Sequence, residues 1–116
     1  MDETDKNLRK ATLDTLSFLA SPEQQREFAA KVHYDNYPGE FACWWFDSFI
    51  PESPYTEKRY TNNELTVLHQ FSQRLDELLK RLDDKPRTID SLIGNPDWAE
   101  VIVSAKRACI ALALHA

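Results

Sequence analysis

Histidines, cysteines and serines are the side chains of this sequence with the chemistry for catalysis or metal binding. His33 lies close to Asp35, a carboxylate that can orient an imidazole for general-base work, but no nucleophile accompanies the pair. His33, His69 and His115 are too widely spaced to place two ligands on one helical face, as zinc and di-iron sites require. The sequence therefore predicts no catalytic residue and no metal site.

The remaining candidates are equally isolated. Ser48, Ser53 and Ser91 lack the glycine-flanked setting of a nucleophile elbow, and the two glycines of the chain are too few for a phosphate-binding loop. Cys43 and Cys109 have no neighbouring thiol, so we expect each to be a buried small apolar residue outside any disulfide or redox motif. These patterns predict a protein without cofactors and without enzymatic activity.

Length and composition predict a single helical domain. A chain of 116 residues fits one hydrophobic core, and 42% apolar with 28% charged residues is typical of a globular protein. Two glycines and six prolines supply too few tight turns for many short strands. We therefore predict an all-α fold, an irregular bundle of about five helices.

Charge and hydropathy restrict the partners. The net charge of −5 argues against direct nucleic-acid binding, which depends on Lys and Arg, and favours a basic partner. The start of the chain is acidic and lacks the apolar stretch of a secretory signal, and the longest apolar run, 108–114, is too short to span a bilayer. We expect a cytoplasmic protein that does not enter membranes.

Apolar periodicity and capping residues locate the helices. The predicted helices cover residues 4–20, 22–32, 38–50, 61–83 and 96–114, with a helical turn over 88–93. Ser21 with Gln24, and Thr61 with Glu64, have the spacing of capping boxes. The turn ends at Gly94, where a positive φ is easily adopted. The apolar end of the last helix, with Ile110, predicts a central, well-covered helix.

The segment 38–50 fits two patterns. Phe41, Cys43 and Trp45 alternate as in a strand, whereas Phe41, Trp45 and Phe49 recur as on a helix. Its length, its start at Pro38 and the lack of a second strand favour a helix. On that helix, Phe41, Trp45 and Phe49 would face the core with Ala42 and Phe46 beside them, and Glu40, Trp44 and Asp47 would lie on the opposite face.

Acidic and aromatic residues are concentrated together in the second quarter of the chain. No Lys or Arg occurs between Lys31 and Lys58, yet the gap holds five acids and eight of the 13 aromatic residues. A tryptophan bracketed by carboxylates on an outer face is suited to a cationic protein surface. The predicted partner-binding residues are Asp35, Tyr37, Glu40, Trp44, Asp47, Glu52 and Tyr55. The alternative interpretation is an aromatic core with solubilising acids and a solvated loop.

The stretch Glu40-Phe-Ala-Cys-Trp-Trp-Phe-Asp-Ser-Phe49, followed by Tyr60-Thr-Asn-Asn-Glu-Leu65 and a leucine-rich helix, resembles small immunity proteins of bacterial contact-dependent inhibition and polymorphic toxin systems. The resemblance covers about residues 38–82. It implies a cytoplasmic inhibitor that binds a cognate toxin, often a basic nuclease domain. The alternative hypothesis is a helical regulatory or homo-oligomerisation domain, whose apolar faces a second copy completes.

Overall fold

Helices make up the regular structure of this protein, as the sequence predicted. The computed structural model describes residues 2–82 and 88–112; it is a compact single globule, 79% helical, and those two ranges contain no strand. The helices are α1 (Glu3–Leu19), α2 (Pro22–Lys31), α3 (Tyr37–Ser48), α4 (Thr56–Arg59), α5 (Asn62–Arg81), α6 (Ile89–Ile93) and α7 (Pro96–Ala111). The predicted helix ends at 83 and 114 lie outside the described residues.

Side-chain caps set the starts of most of these helices. Asp2 accepts a hydrogen bond from the Asp5 amide, and Asn95 accepts two from the first turn of α7. The capping box of α5 is complete, because Thr61 Oγ1 accepts from the Glu64 amide and Glu64 Oε1 accepts from the Thr61 amide. Each cap satisfies backbone donors that have no partner within the helix.

The core forms where α1, α3, α5 and α7 meet. Helix α5 packs mainly along α7, and α1 packs along α3 and α7. The largest fully buried side chains are Trp45, Trp98, Phe41 and Phe49. Full burial of a large apolar side chain contributes about 1.5–3 kcal/mol, so these rings account for much of the stability of the fold.

The structure corrects several local expectations. The short helix α4 was not predicted, whereas α6 corresponds to the helical turn predicted over 88–93. Gly94 has a φ of −79°, so it does not use the left-handed conformation expected of it. The capping box at Ser21 is half formed, because Ser21 Oγ accepts from the Gln24 amide while the Ser21 amide donates to the Phe18 carbonyl oxygen.

Three residues expected in the core lie at the surface. Cys43 is exposed, whereas Cys109 is buried as predicted. Phe46 is 37% exposed and Ile110 is 76% exposed, so neither α3 nor the end of α7 is covered all round. The cause is tertiary: each helix has neighbours on one side, and its apolar residues on the other side stay in contact with water. Among the described helices, none combines the length and hydropathy needed to cross a bilayer.

Candidate protein-binding surface

Helix α3 and the loop that follows it carry the candidate site. The Asn36 side chain starts α3 by accepting a hydrogen bond of 3.0 Å from the Gly39 amide to its Oδ1. A Cβ on Gly39 would lie 2.5 Å from Asn36 Nδ2, so any other residue at position 39 would make the capping side chain of Asn36 shift. Phe41, Trp45 and Phe49 then face the core and fix the rotation of the helix about its axis.

That rotation exposes one side of α3. Cys43, Phe46 and Asp47 are all exposed, and their spacing of three and four residues places them on the same side of a helix. Ile50, just beyond the C-cap, is 47% exposed. Apolar and acidic groups therefore share the outer side of the helix.

Most of the predicted residues are at least partly exposed. Asp35, Asp47, Glu52 and Tyr55 are exposed, and Glu40 and Trp44 are half-buried. At 100° per residue, Glu40, Cys43 and Asp47 lie between Trp44 on one flank of α3 and Phe46 on the other. We call the set Asp35, Glu40, Trp44, Phe46, Asp47, Ile50, Glu52 and Tyr55 the α3 surface.

Tyr37 does not belong to the α3 surface. It is 3% exposed, and its Oη donates a hydrogen bond of 2.9 Å to the Val32 carbonyl oxygen. The hydroxyl thus pairs with the chain that leaves α2, and the ring contributes to the core. The prediction of Tyr37 as a partner contact was wrong because position 37 lies on the inner side of α3, one turn before Phe41.

Trp44 is held in place by an aromatic cluster. Its ring centroid lies 5.4 Å from that of Phe18, 5.0 Å from that of Phe28 and 5.3 Å from that of Phe41. Aromatic pairs at such distances stabilise the fold beyond their buried area. Only part of the indole is therefore exposed.

The loop after α3 is ordered by its own hydrogen bonds. Thr56 Oγ1 donates a hydrogen bond of 2.6 Å to the Ile50 carbonyl oxygen, and the Ser53 amide donates one of 3.1 Å to the same oxygen. Tyr55 is 56% exposed, and Lys58 Nζ lies 5.6 Å from the centroid of its ring. This contact has cation–π geometry, so the exposed tyrosine already attracts an ammonium group within the chain.

None of the five carboxylates in the segment between Lys31 and Lys58 forms a salt bridge in the described ranges, whereas seven acids elsewhere in those ranges do. Some acids elsewhere, such as Glu23 and Glu27, also form none. Within residues 2–82 and 88–112, acids outside the segment form salt bridges at Asp5, Asp14, Glu64, Asp76, Glu77, Asp90 and Glu100. In the same described ranges, no salt bridge or side-chain hydrogen bond involves Asp35, Glu40, Asp47, Glu52 or Glu57. Within the described ranges, the negative charge of this segment is therefore not paired with any cation.

Phe46 and Ile50 are surface residues that the sequence interpretation missed. Asp47 was assigned to the outer side of α3, and Phe46 lies 100° from it around the helix, on the edge of that side. Helical spacing offered no signal for Ile50, because it follows the helix and its exposure depends on the loop. In the part of the chain that the structure describes, no three His, Cys, Asp or Glu side chains cluster as metal ligands do.

Comparisons with protein-family models, curated proteins and solved structures find no match to this chain.

Proposed function

We propose that this protein is an immunity-type inhibitor, which binds a cognate basic toxin domain through the α3 surface and blocks it by occupancy, without catalysis of its own. The resemblance of residues 38–82 to bacterial immunity proteins suggests this class. A nuclease domain would have the basic surface expected of the partner, because proteins that bind nucleic acid carry clustered Lys and Arg. A bacterial cytoplasm is the compartment where such an inhibitor would act.

The observation that carries the proposal is the set of unpaired carboxylates. Asp35, Glu40, Asp47 and Glu52 lie on or beside α3 with no cation paired to them in the described structure, whereas Asp76 on α5 is bonded to Lys80. Uncompensated charge of one sign attracts a partner of the opposite sign and raises the rate of association. It also disfavours acidic partners, which supplies selectivity.

Apolar groups beside the acids supply affinity. Phe46, Ile50 and Tyr55 are among the few large hydrophobic side chains that the described structure leaves exposed. Trp44, half-buried in its aromatic cluster, lies on the opposite flank of α3 from Phe46. Interface hot spots are typically aromatic residues that lose water on binding. A helix that presents carboxylates between two aromatic side chains therefore suits an arginine- or lysine-rich surface.

The test is neutralisation of the toxin domain encoded beside this protein's gene. Coexpression of the inhibitor should restore growth of cells that produce the toxin domain, and the purified proteins should bind in a calorimeter. Asp47→Lys should weaken binding by at least about 1–2 kcal/mol, roughly tenfold in Kd, because it places a like charge against the basic partner. Higher salt should weaken wild-type binding.

The matched control is Asp76→Lys, the same change in net charge on the exposed side of α5. It should leave the affinity within about a factor of two, since surface charges distant from an interface contribute little. Equal losses for Asp47→Lys and Asp76→Lys would show that net charge, and not the α3 surface, drives binding. A toxin that neither binds nor is neutralised would contradict the proposed function itself.

A further inference from the structure

Helix α7 has an apolar stripe on the side that faces away from the core. Pro96, Val103 and Ile110 are seven residues apart, which places them within about 20° of one line along the helix, and all three are exposed. Val103 is 43% exposed and Ile110 is 76% exposed. Ala99, also exposed, lies close to the same line. Exposed apolar residues aligned along a whole helix are unusual unless another surface covers them.

Charged residues flank this stripe on both sides, with the exposed Lys106 on one side and residues of both signs on the other. Glu100 and Arg107 each lie about 40–60° from the line through Val103, in the same direction around the helix. Glu100 Oε1 lies 2.7 Å from Arg74 Nη2 of α5, whereas no salt bridge in the described ranges involves Arg107. The side of the stripe that holds Glu100 and Arg107 therefore presents a carboxylate and, two helical turns further along, a guanidinium with no salt bridge in the described ranges.

We propose that a second copy of this chain covers the stripe, with the two α7 helices packed antiparallel about a two-fold axis at Val103. In that arrangement Val103 meets its symmetry mate, and Ile110 of each copy lies over Pro96 of the other. A two-fold axis between antiparallel helices brings each flank against the same flank of the other copy. Arg107 then lies beside Glu100 of the second copy, offset by only one residue, about 1.5 Å along the axis.

Self-complementarity favours a second copy over an unrelated partner. An isologous contact uses the same surface twice, so the acid and the base must lie on opposite sides of the symmetry point, and Glu100 and Arg107 lie on either side of Val103. The antiparallel pairing forms two such salt bridges and joins the two apolar stripes. A parallel two-fold pairing would instead bring each flank against the opposite flank of the other copy, so Glu100 and Arg107 could not pair with each other across the contact.

A single pair of helices is a small interface. Helix α7 has 16 residues and is therefore about 24 Å long, and contacts of this size belong to the weak end of specific association. We expect a dissociation constant of about 10–100 µM, so monomer and dimer should exchange in solution.

Sedimentation velocity on the full chain, over concentrations from about 1 to about 500 µM, tests the proposal. The average mass should rise from the monomer value of 13.5 kDa towards twice that value. Ile110→Glu should raise the dissociation constant at least about tenfold, because it buries a charge in the contact without disturbing the core. Leu8→Glu, a matched change at a residue 37% exposed on α1, should leave the dimer intact.

A charge exchange tests the register. Arg107→Glu and Glu100→Arg should each weaken self-association, because each places like charges across the axis. A mixture of the two variants should associate at least as tightly as the wild-type protein, since every cross-axis pair then has opposite signs. Circular dichroism must show both variants folded, because Glu100→Arg also removes the bond to Arg74.

A wild-type mass that stays at 13.5 kDa across the whole range would overturn the proposal. So would Leu8→Glu and Ile110→Glu having equal effects, or a mixture of the charge variants that does not associate. None of these results bears on the α3 surface, because the dimer contact and the toxin contact use different helices.

Discussion

Trp98 Nε1 donates a hydrogen bond of 3.0 Å to Gln25 Oε1, and both side chains are fully buried. The side-chain amide of Gln25 also donates two hydrogen bonds from its Nε2, one of 3.2 Å to the Phe18 carbonyl oxygen and one of 3.1 Å to the Leu19 carbonyl oxygen. One glutamine of α2 therefore joins the end of α1 to the start of α7. It also satisfies the indole N–H, which would otherwise be buried without an acceptor.

Gln25→Leu should lower the free energy of unfolding by about 1–3 kcal/mol, because it leaves the Trp98 N–H without an acceptor in the core. Urea unfolding followed by far-UV circular dichroism measures the change. Gln24→Leu is the control, since Gln24 is exposed in the same helix. That control should change stability by less than about 0.5 kcal/mol. Equal effects of the two substitutions would show that the buried amide has no special role.

Replacing Glu64 by Gln should lower the stability of the fold at neutral pH and make that stability vary less as the pH falls. Both Glu64 carboxylate oxygens accept from the Arg9 guanidinium, at 2.9 and 2.7 Å, and these hydrogen bonds hold the pKa of Glu64 below its usual value of 4.5. Because the folded pKa is the lower one, the pair stabilises the fold above about pH 4.5, and this contribution is lost as the pH falls through the folded pKa.

Glu64→Gln keeps a side-chain acceptor for the Thr61 amide, so the substitution isolates the ion pair from the cap. The variant should be less stable than the wild type by up to about 1 kcal/mol at pH 7, and the difference should vanish in acid. Thermal unfolding at a series of pH values measures it. Glu77→Gln serves as the control, since Glu77 forms an exposed pair with Arg74. A difference for Glu64→Gln that persists in acid would contradict the ion-pair explanation.

The two cysteines should differ sharply in reactivity. Cys43 is exposed on α3, whereas Cys109 is buried, and burial raises the pKa of the Cys109 thiol. A raised pKa means a smaller thiolate fraction at any given pH, and burial also excludes reagents. Native protein treated with a thiol-specific alkylating reagent should gain one adduct at Cys43, seen by mass spectrometry. Cys109 should react only after denaturation, and a Cys43→Ser variant should stay unmodified while folded.

Substitutions of neighbouring aromatic residues on α3 should separate stability from binding. Trp45→Ala should cost about 3–5 kcal/mol, because the ring is fully buried and its Nε1 donates to Ser72 Oγ. Trp44→Ala should cost less, since that ring is half-buried. Phe46→Ala should destabilise the fold less than Trp45→Ala, because the Phe46 ring is 37% exposed, and should weaken toxin binding by about 1 kcal/mol or more. A loss of stability as large as that of Trp45→Ala, or unchanged binding, would remove Phe46 from the α3 surface.

Helix positions followed from the sequence because their signals are local. Thr61 with Glu64 and Asn95 with Pro96 start helices α5 and α7 through contacts within one turn, so their residue types suffice to locate these starts. The apolar spacing of Phe41, Trp45 and Phe49 likewise favoured a helix over a strand, and the structure confirms it. The same spacing also predicted which side of α3 faces the core.

What only the tertiary structure decided is which remaining side chains meet water and which charges meet each other. Tyr37 is buried and Cys43 exposed although both belong to α3, because exposure depends on where the neighbouring helices pack. The ion pair of Arg9 with Glu64 joins residues 55 positions apart in the chain, and no local pattern predicts such a contact. For the same reason the sequence revealed the concentration of acids near α3, whereas their lack of partners emerged only from the fold, since a salt bridge requires a cation that folding has brought near.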